Sequence, residues 1–241
     1  LGALKQWVEL QEGNDAFYCI VDLHALTGEI EPGLFRKRTL ASAAQLIAIG
    51  LDPNKCTLFV QSHVPAHNQL AWVFECITGF GEASRMTQFK DKSQKSGADR
   101  INVGLFTYPI LQAADILLYQ PDFVPVGEDQ RQHVELTRDI AQRFNSDFNS
   151  PDFLKTPEPL IQKNFSRIMS LKDGMKKMSK SDSSDLSRIN LTDEKDLIVN
   201  KIKKAKTDPM PMPTNEENLE KRPEAENLLG IYSSLSNQAL E

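Results

Sequence analysis

Three groups of polar residues in this chain have the types and spacings of a ligand site. In "TYPILQAADILLY", Tyr108, Gln112 and Asp115 recur at intervals of four and three, which puts them on one face of a helix. Around them Ala113, Ala114, Ile116, Leu117 and Leu118 are apolar. A carboxylate in such surroundings is costly unless it is paired or faces a ligand. As an acceptor it suits an indole N–H, which can only donate, or a phenol O–H. The plainer alternative is a structural Asp paired with a distant Arg or capping another helix.

The second group is "VPVGEDQRQH", where Gly127 stands at a strand end before a helix start. Such a joint lets a ligand approach the backbone and leaves free N–H groups there. Gln130 and His133 fall on one helical face, with Asp129 at the helix start. Sugar hydroxyls and amino groups suit these residues, although strand–Gly–helix joints are common and usually structural. The third group is "GMKKMSKSDSSDLS", Gly174 to Ser187. Lysines in a flexible loop can stabilise negative charge on transferring phosphates, while a Lys/Ser-rich loop taken singly is more often a solvated turn.

These groups need elements to hold them. "AFYCIVDLHAL" (Ala16–Leu26) and "TLFVQSHV" (Thr57–Val64) read as buried strands, short, apolar and rich in β-formers. Helical spacing runs from Leu34 to Ile49 and stops at Gly50, and a second helix starts near Pro65. Continuous apolar strands alternating with helices predict a doubly wound parallel α/β sheet. Ligands bind beyond the carboxyl ends of such strands, where Asp22, His24, Gln61 and Ser62 fall. Helices are expected over Thr107–Tyr119, Asp129–Phe144 and Thr192–Lys206, with a short strand in Asp122–Gln130. Polar residues dominate Ser166–Ser187, and the four prolines of Thr207–Glu224 mark a loop or linker before a last helix.

Composition narrows the function classes. A chain of 241 residues that is 40% hydrophobic can bury a sizeable core, and a net charge of −5 argues against wholesale coating of nucleic acid. Cys19, Cys56 and Cys76 have no CxxC spacing, and an odd count closes no disulfide set, so reduced thiols in a cytoplasmic protein are expected. No apolar run approaches the roughly 18–20 residues of a membrane span.

"KMSKS" (Lys177–Ser181) is identified with the signature loop of class I aminoacyl-tRNA synthetases. "IVDLHALT", "RMTQFKDKS", "YPILQAADILLY" and "VPVGEDQRQHVELTRDIAQRFN" resemble more closely the tryptophanyl-tRNA synthetases of bacteria and organelles. The resemblance covers nearly the whole chain. It implies a Rossmann-like catalytic domain over 1–187 ending in the KMSKS loop, and the start of a helical C-terminal domain over 188–241. It also implies activation of L-tryptophan by ATP, transfer to tRNA(Trp), Mg2+ on the ATP phosphates without a protein cage of its own, and a cytoplasmic homodimer. Carried over, Asp115 accepts the indole N–H, with Tyr108, Gln112, Gln130 and His24 in the amino-acid pocket. Gly127, Glu128, Asp129 and Ile168 border the nucleotide. Lys177, Met178, Ser179, Lys180 and Ser181 form the phosphate loop, and Lys92 reaches the phosphates from a second loop.

Gln112 stands where many members carry methionine. The family's His/Gly-containing ATP signature and first strand are expected upstream of Leu1, and its anticodon-contacting helices beyond Glu241, so the text reads as a fragment. A tyrosine-specific relative and a non-catalytic RNA- or protein-binding paralogue are the alternatives. The retained Lys177, Lys180, Asp115 and Gln130 speak against the second.

Overall fold

The computed structural model describes residues 3–28, 31–86, 102–161, 168–179, 182–213, 219–236 and 238. The chain divides into two compact units, one over Ala3–Gln162 and one comprising Lys163–Glu241 with Leu1–Gly2. This contact boundary lies upstream of 187/188, where the catalytic domain is expected to end.

The larger unit opens with α1 (Ala3–Leu10), followed by β1 (Ala16–Ile20), α2 (Asp22–Ala25), α3 (Pro32–Ala48) and β2 (Cys56–Val60). β1 and β2 pair in parallel, from Ala16 opposite Cys56 to Ile20 opposite Val60. The helical crossover that parallel pairing requires is supplied by α2 and α3. Gly50, at φ +117°, takes the chain out of α3 in a conformation that other residues resist. After β2 come a 3-10 turn at Gln61–His63, α4 (Ala66–Ile77), α5 (Phe80–Ser84) and α6 (Val103–Leu117). Then β3 (Phe123–Pro125), a 3-10 turn at Glu128–Gln130, α7 (Arg131–Asp147) and β4 (Glu158–Leu160) repeat the strand–helix–strand plan. β3 and β4 are again parallel. The α/β architecture with parallel strands is therefore the one expected.

Two expected strands are shorter than their apolar runs. The first ends at Ile20, because the chain turns into α2 at Asp22, which receives the Ser62 N–H and hydroxyl at 2.9 and 2.6 Å. The second stops at Val60 and passes into a 3-10 turn. His24, Gln61 and Ser62 thus sit just past the strands' carboxyl ends.

The main core joins α4, α6 and α7. Phe74, Ala113, Ala114, Leu117, Ile140 and Ala141 are buried there together. The alanine pair lets α6 approach its neighbours closely, and burying one large apolar side chain such as Phe74 is worth roughly 1.5–3 kcal/mol. α6 starts four residues earlier than its apolar text suggests, because the Asn102 side chain caps it by accepting from the Leu105 N–H at 2.8 Å.

In the smaller unit, the polar stretch expected to be loop contains a hairpin. β5 (Met169–Ser170) pairs antiparallel with β6 (Asp173–Lys177). α8 (Lys195–Lys203) and α9 (Pro223–Ser236) follow. The Asn227 side chain of α9 bonds both the N–H and the carbonyl of Met169, at 2.8 and 2.9 Å. A Cβ on Gly174 would lie 2.7 Å from backbone atoms of Pro223 and Glu224, so β6 runs directly against the start of α9. Lys201 is fully buried and bonds Asp193 at 2.6 Å and Asp185 at 2.8 Å. No described helix is long and apolar enough to cross a membrane.

Candidate functional site

Asp115 is the hub of the larger unit's polar centre. It projects from α6 with its side chain 10% exposed. Gln61 donates through Nε2 to both Asp115 oxygens at 2.8 Å. His67, fully buried on α4, meets Oδ1 through Nδ1 at 2.6 Å. His24 Nδ1 stands 3.6 Å from Oδ2. The cost of burying a carboxylate in an apolar helix is thus offset by histidine and amide donors rather than by an arginine.

Each partner is itself held. Gln61 Oε1 accepts from the Leu23 N–H at 3.1 Å, which links the 3-10 turn after β2 to α2. His24 Nε2 lies 3.3 Å from the Tyr108 carbonyl. Tyr108 OH meets His133 Nε2 at 3.0 Å, and that contact ties α6 to α7. His67 Nε2 meets Tyr119 OH at 2.9 Å. Burial raises the Tyr108 phenol above its ordinary value. Burial, then Cys19 and Asp115, raise that of Tyr119. The Cys19 thiol is pushed up to about 12 by burial and by the Asp115 and Asp22 carboxylates. Both phenols and this thiol are therefore neutral at physiological pH.

His24, Tyr108 and Asp115 come together, and Gln112 lies half-buried on the same helix. The turn before α7 carries Gly127, Glu128, Asp129 and Gln130 at its own surface. Gln130 donates to Asp129 at 3.2 Å, and Arg131 grips Glu128 at 2.7 Å, holding that carboxyl below its usual range. A Cβ on Gly127 would lie 2.7 Å from Asp129 Oδ1, so this side chain folds back over the glycine. A cleft of about 450 Å³ opens between α2, α4 and α6. Tyr108, Leu111 and Trp72 line it, but Asp115 and Gln61 do not.

In the smaller unit Ile168 and Met178 are linked backbone to backbone at 3.0 Å, and Lys177 is exposed at the end of β6. Ser179 is half-buried beside Met178. Lys92, Lys180 and Ser181 lie outside the described residues.

His67 and Tyr119 were not among the site residues expected from sequence, whereas Gln61 was expected at a strand's ligand-facing end and His133 on the helical face of Gln130, neither of them as a support of Asp115 or Tyr108. One signal was available, since Tyr119 follows Asp115 by four and extends the polar stripe. Gln61 and His67 belong to segments 54 and 48 residues away from Asp115 and have no such mark.

The sequence pattern described as tRNA synthetases class I (W and Y) matches residues 1–240. The chain is 57% identical over 240 residues to tryptophan–tRNA ligase 2 of Streptomyces avermitilis, covering 100% of this chain and 70% of that protein. The crystal structure of a tryptophanyl-tRNA synthetase from Mycoplasma pneumoniae superposes with a TM-score of 0.84 at 39% identity, covering 98% of this chain and 69% of that one. That of a Campylobacter jejuni tryptophanyl-tRNA synthetase, complexed with ADP and tryptophan, gives 0.81 at 31%, over 97% of this chain and 69% of the other.

Proposed function

Since the chain belongs to the class I tRNA synthetases of the tryptophan and tyrosine group, we propose that it works as a tryptophan–tRNA ligase. In this reaction the carboxylate of L-tryptophan attacks the α-phosphate of ATP, pyrophosphate leaves, and the tryptophanyl group passes from the adenylate to tRNA(Trp), releasing AMP. The observation that carries the reading is Asp115, an acceptor at a nearly enclosed position with Gln61 and His67 fixing its orientation. An indole N–H, which can only donate, matches an acceptor-only group. That the two solved structures named above, at 39% and 31% identity, are tryptophanyl-tRNA synthetases supports tryptophan over tyrosine.

His24 and Tyr108 line the amino-acid site in this reading, with Gln112 on the same helix and Gln130 at the start of α7. Gly127, Glu128, Asp129 and Ile168 border the adenosine. Lys177, Met178, Ser179, Lys180 and Ser181 of the signature, with Lys92, serve the phosphates. Their lysines stabilise the charge that grows on pyrophosphate as it departs, and no covalent enzyme intermediate is needed because positioning and charge do the work. Magnesium accompanies the nucleotide as part of the substrate, bound to phosphate oxygens. A cytoplasmic homodimer acting on tRNA(Trp) completes the proposal.

The test is amino-acid-dependent ATP–pyrophosphate exchange by the full-length protein, with tryptophan and tyrosine in parallel. Exchange with tryptophan alone is expected. Exchange with tyrosine alone would transfer the assignment to the tyrosine enzymes, and a folded protein that exchanges neither would point to a non-catalytic paralogue.

A further inference from the structure

A carboxylate that recognises a donor must be kept aimed at it. An aspartate has two rotatable side-chain bonds, and Ala113, Ala114 and Leu117 beside it offer only apolar contact. The hydrogen bonds it accepts are distributed unevenly. Oδ1 receives His67 Nδ1 at 2.6 Å and Gln61 Nε2 at 2.8 Å, whereas Oδ2 shares the same Gln61 nitrogen and has His24 at 3.6 Å. An ionised carboxyl has about four acceptor positions, so the capacity left over is mainly on Oδ2.

His67 is what creates this asymmetry, and it is itself fixed. Its Nδ1 faces a carboxylate and must carry the ring proton, which leaves Nε2 bare to accept the Tyr119 O–H at 2.9 Å. The imidazole is fully buried and packs on Phe59, with ring centres 5.7 Å apart. Tyr119 packs in turn on Phe59 at 5.4 Å and Phe17 at 4.9 Å. Both parallel strands therefore brace the pair, through Phe17 of β1 and Phe59 of β2.

We propose that Tyr119 and His67 form a buried relay that locks the Asp115 carboxylate with Oδ2 turned toward an incoming N–H, making His67 a positioning residue for selection of the amino acid. The inference rests on the tryptophan–tRNA ligase reading. It goes further by assigning selectivity to a histidine that need not touch the ligand. A histidine that merely satisfied buried polar groups would influence stability, but would not influence the choice between ligands that differ in one N–H.

The deciding comparison is between L-tryptophan and its benzothienyl analogue, in which sulfur replaces the indole N–H. Dissociation constants for both are measured on the full-length protein, with thermal melts as a control for folding. Wild type prefers tryptophan. H67L lowers that preference at least about tenfold, the size expected when one well-placed hydrogen bond is lost. H67N, whose amide N–H falls near the position of Nδ1–H, restores most of it. Combining H67L with D115N brings no further fall, because both act on the same contact.

An unchanged preference in folded H67L, or H67N behaving as H67L does, overturns the relay. If H67L does not fold, Y119F decides: a several-fold fall supports the relay, and an unchanged ratio overturns it. A wild type that binds neither ligand refutes the tryptophan reading itself. A discriminating wild type beside an equally discriminating H67L refutes this inference alone.

Discussion

Gln61→Glu is the most informative single perturbation of the polar centre, because it alters charge and almost no volume. Gln61 is fully buried, and its Nε2 lies 2.8 Å from both Asp115 oxygens. The substitution keeps the oxygen that accepts from Leu23 N–H and replaces the donor with a second carboxylate oxygen. Two carboxyls at that distance cannot both ionise cheaply, so the folded protein must bind an extra proton there, shared between them or placed on His24 at 3.0 Å from the Gln61 nitrogen.

If this raises the new group's pKa by about two units over its unfolded value, linkage gives the cost. It is roughly 2.5 kcal/mol at pH 7 and falls to about 1 kcal/mol at pH 5. The sign follows from proton binding: between the unfolded and the raised pKa the unfolded chain is ionised while the folded one still holds the proton. The cost therefore grows with pH across that window, levels off above the raised pKa, and closes as pH falls and both states are protonated. The assay is urea unfolding of the variant and wild type, run in parallel at half-unit steps from pH 5 to 8. A gap that stays constant with pH, or is absent throughout, would refute the close Gln61–Asp115 contact.

Three further outcomes are expected. Gly174→Ala places a Cβ against backbone of Pro223 and Glu224, which cannot swing aside. It should destabilise the smaller unit by about 1–3 kcal/mol in denaturant unfolding, and a change within half a kcal/mol would contradict the packing. Iodoacetamide at pH 8 should label exposed Cys76 well before Cys19, whose thiol is pushed up to about 12 and so holds almost no thiolate there. Comparable rates, read by peptide mass spectrometry, would mean that Cys19 is not buried beside the Asp115 and Asp22 carboxylates. Lys177→Ala should slow adenylate formation by roughly a hundredfold or more while tryptophan affinity stays within about twofold. An equal loss in both would remove its phosphate role.

How much was legible in the sequence depended on how local the cause was. Asp115 stood out because a carboxylate amid Ala113, Ala114 and Leu117 demands a reason, and helix geometry placed Tyr108 on its face without further information. The helix ending at Gly50 was readable for the same reason, since one residue's conformational freedom sets it. The supports of Asp115 were not readable, because Gln61 and His67 reach it only after β2 pairs with β1 and α4 packs on α6. No spacing rule spans that distance. The β5–β6 hairpin escaped notice for the converse reason: its text is polar and lysine-rich, and its strand pairing depends on contacts with α9. The strand ends were misjudged because apolar runs continue beyond the point where Asp22 and Gln61 turn the chain.

The Asn227 amide, described above as a link from α9 to Met169, has a consequence for solubility. A short strand at the margin of a two-stranded ladder offers its outward N–H and carbonyl to any extended segment that comes near, and another molecule can pair with it. In this protein those two groups on Met169 are already occupied by a side chain that presents one acceptor and one donor at 2.8 and 2.9 Å, as a neighbouring strand would. The helix thereby closes the ladder with an amide that cannot propagate it. Replacing Asn227 with an apolar residue would reopen a templating edge, and the damage would show in concentrated solution as intermolecular β-structure.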